Sequence, residues 1–148
     1  MIRKKRKNGQ AIVEMALIFP FFLLIIVGGI IDFGFAFYNF LSLQQIANDT
    51  AQWAAESNGT AGVTSQSLIS SYANTRRPSW WTGAFTVHPP QITNLASGGQ
   101  TIRLILSYES PTYTPFYQTI VGAVSGSPSI RLAAAAAYKV PEVVATRN

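Results

Sequence analysis

The sequence predicts an α+β protein: a long N-terminal helix, transmembrane in its first half and amphipathic in its second, packed by a small C-terminal head with a short helix and an antiparallel sheet of about three strands. Three observations predict it. Residues 15–31 carry no charge, and only Pro20, Gly28 and Gly29 interrupt their apolar run. Further on, Leu43, Ile46, Ala47, Thr50, Ala51, Trp53 and Ala54 recur at steps of three and four, the stripe of an amphipathic helix. Past residue 83 the period changes to two, most clearly where Ile102, Leu104, Leu106 and Tyr108 alternate with Thr101, Arg103 and Ser107.

The chain opens MIRKKRKNG, with Arg3, Lys4, Lys5, Arg6 and Lys7 in succession. The whole sequence holds 11 Lys and Arg against 6 Asp and Glu, so without those five the balance is six against six. All the excess charge therefore sits beside the apolar run. There it is explained by topology and by anionic lipid, which keep a basic flank cytoplasmic. Nucleic acid is set aside as a partner, because the basic composition has no footprint elsewhere.

At about 1.5 Å per residue the uncharged run spans roughly 26 Å, and extension to Phe40 exceeds the roughly 30 Å of a bilayer core. A cleaved secretory signal is the competing interpretation. Its apolar region is shorter, about 7 to 15 residues, and ends at a small-residue cleavage site; here the run meets Asp32, Phe33 and Phe35. A retained single-pass anchor is favoured, with the N-terminus inside and the chain beyond about residue 41 outside.

Immediately before the run, one turn into an otherwise apolar helix, Glu14 is expensive unless it has a partner or lies near the interface, which makes it a functional candidate. Pro20 removes one backbone hydrogen bond and is expected to kink or loosen the helix. Gly28 and Gly29 admit another helix closely. Asp32, at the outer edge of the run, is expected to reach water or headgroups and mark the exit. Phe33, Phe35, Phe37, Tyr38 and Phe40 suit an interfacial aromatic belt. One helix is expected from about Gln10 to Ser57, stopped by Asn58-Gly59.

After a break at residues 59–62, a short helix fits residues 64–74 and ends before Arg76-Arg77-Pro78-Ser79-Trp80-Trp81. Trp80 and Trp81 are expected as core anchors beneath a loop more than as a sugar or nucleotide platform. Residues 84–88 form a short strand closed by Pro89-Pro90, and Gly98-Gly99 turns into the strand at 101–108. Residues 109–128 are a long loop or short helix whose Tyr113, Phe116 and Tyr117 pack on the domain, with membrane contact as the lesser option. Residues 130–138 are ambiguous, because Ala133 to Ala137 favour helix by propensity while Ile130, Leu132, Ala134, Ala136 and Tyr138 alternate.

Chemistry is sparse. Cysteine is absent, His88 is the single histidine, and neither a nucleophile elbow nor metal-ligand spacing occurs. No enzymatic activity, metal or cofactor is expected.

Gly9, then Gln10-Ala11-Ile12-Val13, then Glu14 and a long apolar helix resemble the processing site of type IV prepilins and pseudopilins. More narrowly, GQAIVEMALIFPFFLLI with the later GGIIDFG resembles the TadE-like family of tight-adherence (Flp-type) pilus systems. The resemblance implies cleavage of the Gly9–Gln10 bond by a membrane prepilin peptidase, and a register role for Glu14 opposite the new amine. It implies a helix proline at Pro20, a small and acidic segment at Asp32 and Gly34, and an antiparallel strand at 130–138. Gln10 departs from the aromatic or other apolar residue that many pilins carry at that place, and Met15 from the tyrosine usual in the major Flp pilins. The length of 148 residues suits a minor, TadE-like subunit. The organisation implied is a leader at 1–9, a helix at 10–58 with its span at about 15–40, and an exported head at 59–148. The expected partners are the peptidase, other pilus or pseudopilin subunits, the inner-membrane assembly platform and the lipid bilayer. The expected place is the bacterial cytoplasmic membrane, in or at the base of the surface pilus. The alternative is an uncleaved, membrane-anchored extracytoplasmic binding module.

Overall fold

The computed structural model describes residues 8–61, 65–96 and 99–141. Residues 1–7 of the basic leader, Gly62, Thr64 and Gly98 lie outside the described residues. Helix α1 (Asn8–Ala61) is followed by α2 (Gln66–Arg76), β1 (Phe85–Val87), β2 (Gln91–Asn94), β3 (Gln100–Pro111), α3 (Pro115–Ser125) and β4 (Ser129–Lys139). The long helix, the short helix and the antiparallel sheet are the expected α+β architecture.

Helix α1 has 54 residues and is unbroken at Pro20, a length of about 81 Å. It passes the expected stop at Asn58-Gly59 and ends at Ala61. Glycine permits the left-handed turn that ends a helix but does not enforce it. Helix α2 runs two residues beyond the expected end, through Arg76, and stops there because Arg77 precedes Pro78 and takes an extended conformation, φ −62° and ψ 129°.

The sheet is built around β3. Strand β4 pairs along it antiparallel from Thr101↔Lys139 to Pro111↔Ser129. Its other edge receives β1 at Phe85↔Tyr108 and β2 at Asn94↔Gln100. These two pieces are one edge strand interrupted by Pro89-Pro90, which bring no N–H to a ladder. His88 still donates its backbone N–H to Ile105 O at 3.0 Å. Strand β2 has no signature in the sequence, since all four of its residues are exposed and offer no alternation. Strand β3 also runs three residues further than the alternation indicated, through Pro111.

The alanine run 133–137 is strand, against its helix propensity. Ala134 and Ala136 are buried while Ala133, Ala135 and Ala137 face out, so burial on one face and pairing to β3 override local preference.

One core joins α1 to the sheet. It combines Leu43, Ile46, Ala47, Ala51 and Ala54 of α1 with Ile69 and Ala73 of α2. Trp81 adds to it, as do Ile102, Leu104, Leu106 and Tyr108 of β3 and Ala134 and Ala136 of β4. Each fully buried Leu or Ile contributes about 1.5–3 kcal/mol. The small side chains on α1 and β4 bring helix and strand close, and Gln44 Nε2 donates to Ala135 O at 3.3 Å.

Gly83 closes the loop under this core. A Cβ there would stand 1.7 Å from Glu109 O, and Glu109 N donates to Ala84 O at 2.9 Å. Gly83→Ala is expected to cost about 3 kcal/mol, because the backbone of two segments must move apart. Chemical denaturation in detergent measures it, and an unchanged midpoint contradicts this packing.

Candidate functional site

Two places on α1 carry the residues singled out in the sequence. At its start, Gly9 has nothing within 4 Å of an added Cβ, and residues 9–27 are exposed on every face. Glu14 accepts a hydrogen bond from Gln10 Nε2 at 3.2 Å. The Gly9–Gln10 bond lies in the first turn, where the helix N–H groups lack intrahelical acceptors and where Asn and Gly are poor helix formers. Unwinding that turn therefore costs little.

The second place is the junction of α1 with the head. Asp32 is 2% exposed, which corrects its expected position toward water or headgroups. Its carboxylate accepts from Tyr113 N at 2.6 Å, from Thr114 N at 3.2 and 3.3 Å, and from Thr114 Oγ1. Those groups lead into α3, whose N-terminal end carries the positive pole of the helix dipole. Thr114 is the N-cap of α3 and makes no side-chain cap within its own helix, because its hydroxyl is turned to Asp32. A buried carboxylate is costly unless its lone pairs are satisfied, and here three donor groups satisfy them.

Gly28 and Gly29 open the space that α3 needs. A Cβ on Gly29 would stand 2.6 Å from Tyr117 Oη, and one on Gly28 would stand 3.4 Å from Thr114 Oγ1. Tyr117 Oη donates to Ile25 O at 3.1 Å. The close approach read from the two glycines is thus made by a helix of the same chain.

Above the junction, Asn39 is buried and links three elements. It accepts from Trp81 Nε1 at 2.9 Å and donates to Ser110 Oγ at 3.0 Å. Trp81 stacks on Tyr108 with centroids 4.0 Å apart and is the core anchor expected of it. Trp80 is exposed and stacks on Tyr38 at 6.3 Å. The sequence reading missed Ala36 and Asn39. Yet Gly29, Asp32, Ala36, Asn39, Leu43, Ile46 and Thr50 follow one another at steps of three and four, all of them buried. The stripe begins fourteen residues earlier than the apolar side chains alone indicate, because its first members are small or polar.

His88 is exposed, with Nε2 3.1 Å from Ser107 Oγ. Among the described residues no group of three or more His, Cys, Asp or Glu is placed to hold a metal.

The geometry defines a class: a small α+β head on one N-terminal helix whose Gly9–Ser57 stretch is long and apolar enough to cross a membrane, compatible with a single-pass anchor. Residues 9–52 match the family described as TadE-like protein, a family of proteins associated with Tad pili. The match takes in Gly9, Glu14, Pro20, both junction glycines and Asp32, and it ends inside α1. No curated protein and no solved structure matches the chain.

Proposed function

We propose that this chain is a prepilin-like minor subunit, or pseudopilin, of a tight-adherence (Flp-type) pilus system. It enters the cytoplasmic membrane with its basic leader inside, is cut after Gly9 by a prepilin peptidase, and takes part in building the pilus with other subunits and the assembly platform. The observation that carries this is the TadE-like match over residues 9–52, which starts at the residue after which the cut would fall.

The mechanism follows from charge. Removing the leader takes away the five cations that hold the terminus in the cytoplasm and leaves one ammonium on Gln10, a helical turn from Glu14. Opposite charges there attract, though desolvation offsets much of the gain, so the pair sets register more than stability. The same carboxylate serves the amine of its own chain or that of a neighbouring subunit. Pro20, which lacks an N–H, lowers the cost of loosening the helix when a subunit leaves the bilayer.

The competing function is an uncleaved, membrane-tethered binding module, and exposed Trp80 beside Tyr38 is what favours it. Complementation of a deletion strain separates the two. Gly9→Leu is expected to abolish surface pili while Trp80→Ala leaves them intact; the reverse pattern assigns the function to the head. Trp81→Ala is uninformative here, since emptying that core site costs about 3–5 kcal/mol by itself.

A further inference from the structure

We propose that α3 is a second membrane contact, lying in the interface on the head's side of the bilayer with Phe116, Ile120 and Val124 seated among the acyl chains. The proposal rests on the anchor assigned to α1. Residues 110–130 contain no charged side chain. Within them α3 has no buried residue, and Phe116, Ile120 and Val124 are 42%, 44% and 85% exposed at successive four-residue steps. They form one apolar face that nothing among the described residues covers.

Its height relative to the span identifies the occupant. Helix α3 is fastened to α1 at Ile25, Gly28, Gly29 and Asp32, the last turns of the uncharged run. Phe33 and Tyr117 meet edge to face at 5.8 Å, which joins the apolar surface of α1 to that of α3. Whatever surrounds exposed Ile30 and Phe33 at that level surrounds α3 as well.

The polar groups of α3 agree. Each of its four polar side chains donates within the chain: Tyr117 to Ile25 O, Gln118 to Thr112 O, Thr119 to Pro115 O and Ser125 to Val121 O. That economy is what a medium without hydrogen-bond partners demands. An eleven-residue helix is marginal in water by itself, whereas an apolar face laid into the headgroup and acyl boundary is a stable arrangement.

The absence of cysteine makes the test direct. Three single-cysteine versions of the full chain, Val124→Cys, Leu23→Cys and Thr86→Cys, are labelled with an environment-sensitive fluorophore. They are then reconstituted into vesicles of phosphatidylethanolamine and phosphatidylglycerol carrying doxyl lipids. The label at 124 is expected to be quenched about twofold by doxyl groups near the headgroups. The label at 23 should be quenched by deep ones, and that at 86 by neither. Quenching at 23 without quenching at 124 overturns the proposal and leaves the anchor standing. No quenching at 23 overturns the anchor and the proposal with it. A label at 124 that is shielded but unquenched, and becomes exposed when the protein is diluted in lipid, assigns the face to a second copy and overturns the lipid seat.

Discussion

Replacing Asp32 by leucine is expected to free α3 from α1 and to lower the unfolding free energy by about 3–5 kcal/mol. Leucine has the same branched side-chain outline and is at home in an apolar helix, so the substitution leaves no cavity; it removes the acceptors and puts two bulkier methyl groups in their place. What it removes is the acceptor for Tyr113 N, Thr114 N and Thr114 Oγ1, and a buried donor left without a partner costs about 1–3 kcal/mol. Asp32→Asn keeps one acceptor oxygen and should lie between the two. Denaturation in detergent gives the free energies. Amide exchange at Tyr113 and Thr114 locates the loss, because these two N–H groups should exchange faster in the leucine variant while β3 keeps its protection. Equal protection in both proteins contradicts the role given to this carboxylate.

Glu14→Ala is expected to do the opposite, leaving the fold intact and disabling the subunit. Its carboxylate is exposed and, among the described residues, bonded only to the Gln10 side chain one turn away, so its loss should change stability by less than about 0.5 kcal/mol. If the same carboxylate receives the ammonium of a processed Gln10, losing that pair by about 1.4 kcal/mol lowers assembly about tenfold. The measurement is the amount of pilus sheared from cells expressing the variant in place of the native protein, with leader removal checked on the same sample. Normal cleavage with unchanged pili removes Glu14 from assembly.

These two acids were not equally legible in the sequence. Glu14 borders the apolar run, and its position five residues after Gly9 is a local fact. Asp32 has the same local appearance, but its partners are 81 and 82 residues away, and only the docking of α3 turns an exit marker into a buried acceptor. The rest of the fold divides in the same manner. The stripe from Leu43 to Ala54 and the alternation from Ile102 to Tyr108 are periodic, and the structure holds them as helix and strand; the apolar run is continuous helix. Strand β2 has no periodicity of its own, because it exists by pairing with the edge of β3. Strand β4 was undecided between two periods until packing against α1 decided it. Gly28 and Gly29 announced a close contact; which helix makes it was set by a contact distant in sequence.

The account depends above all on a shortened polypeptide, and intact-mass analysis of the protein from native membranes tests that directly. It predicts a chain beginning at Gln10 in cells that contain the peptidase and at the leader in cells that lack it. A full-length chain with Arg3 to Lys7 still attached, in cells whose peptidase is active, contradicts it.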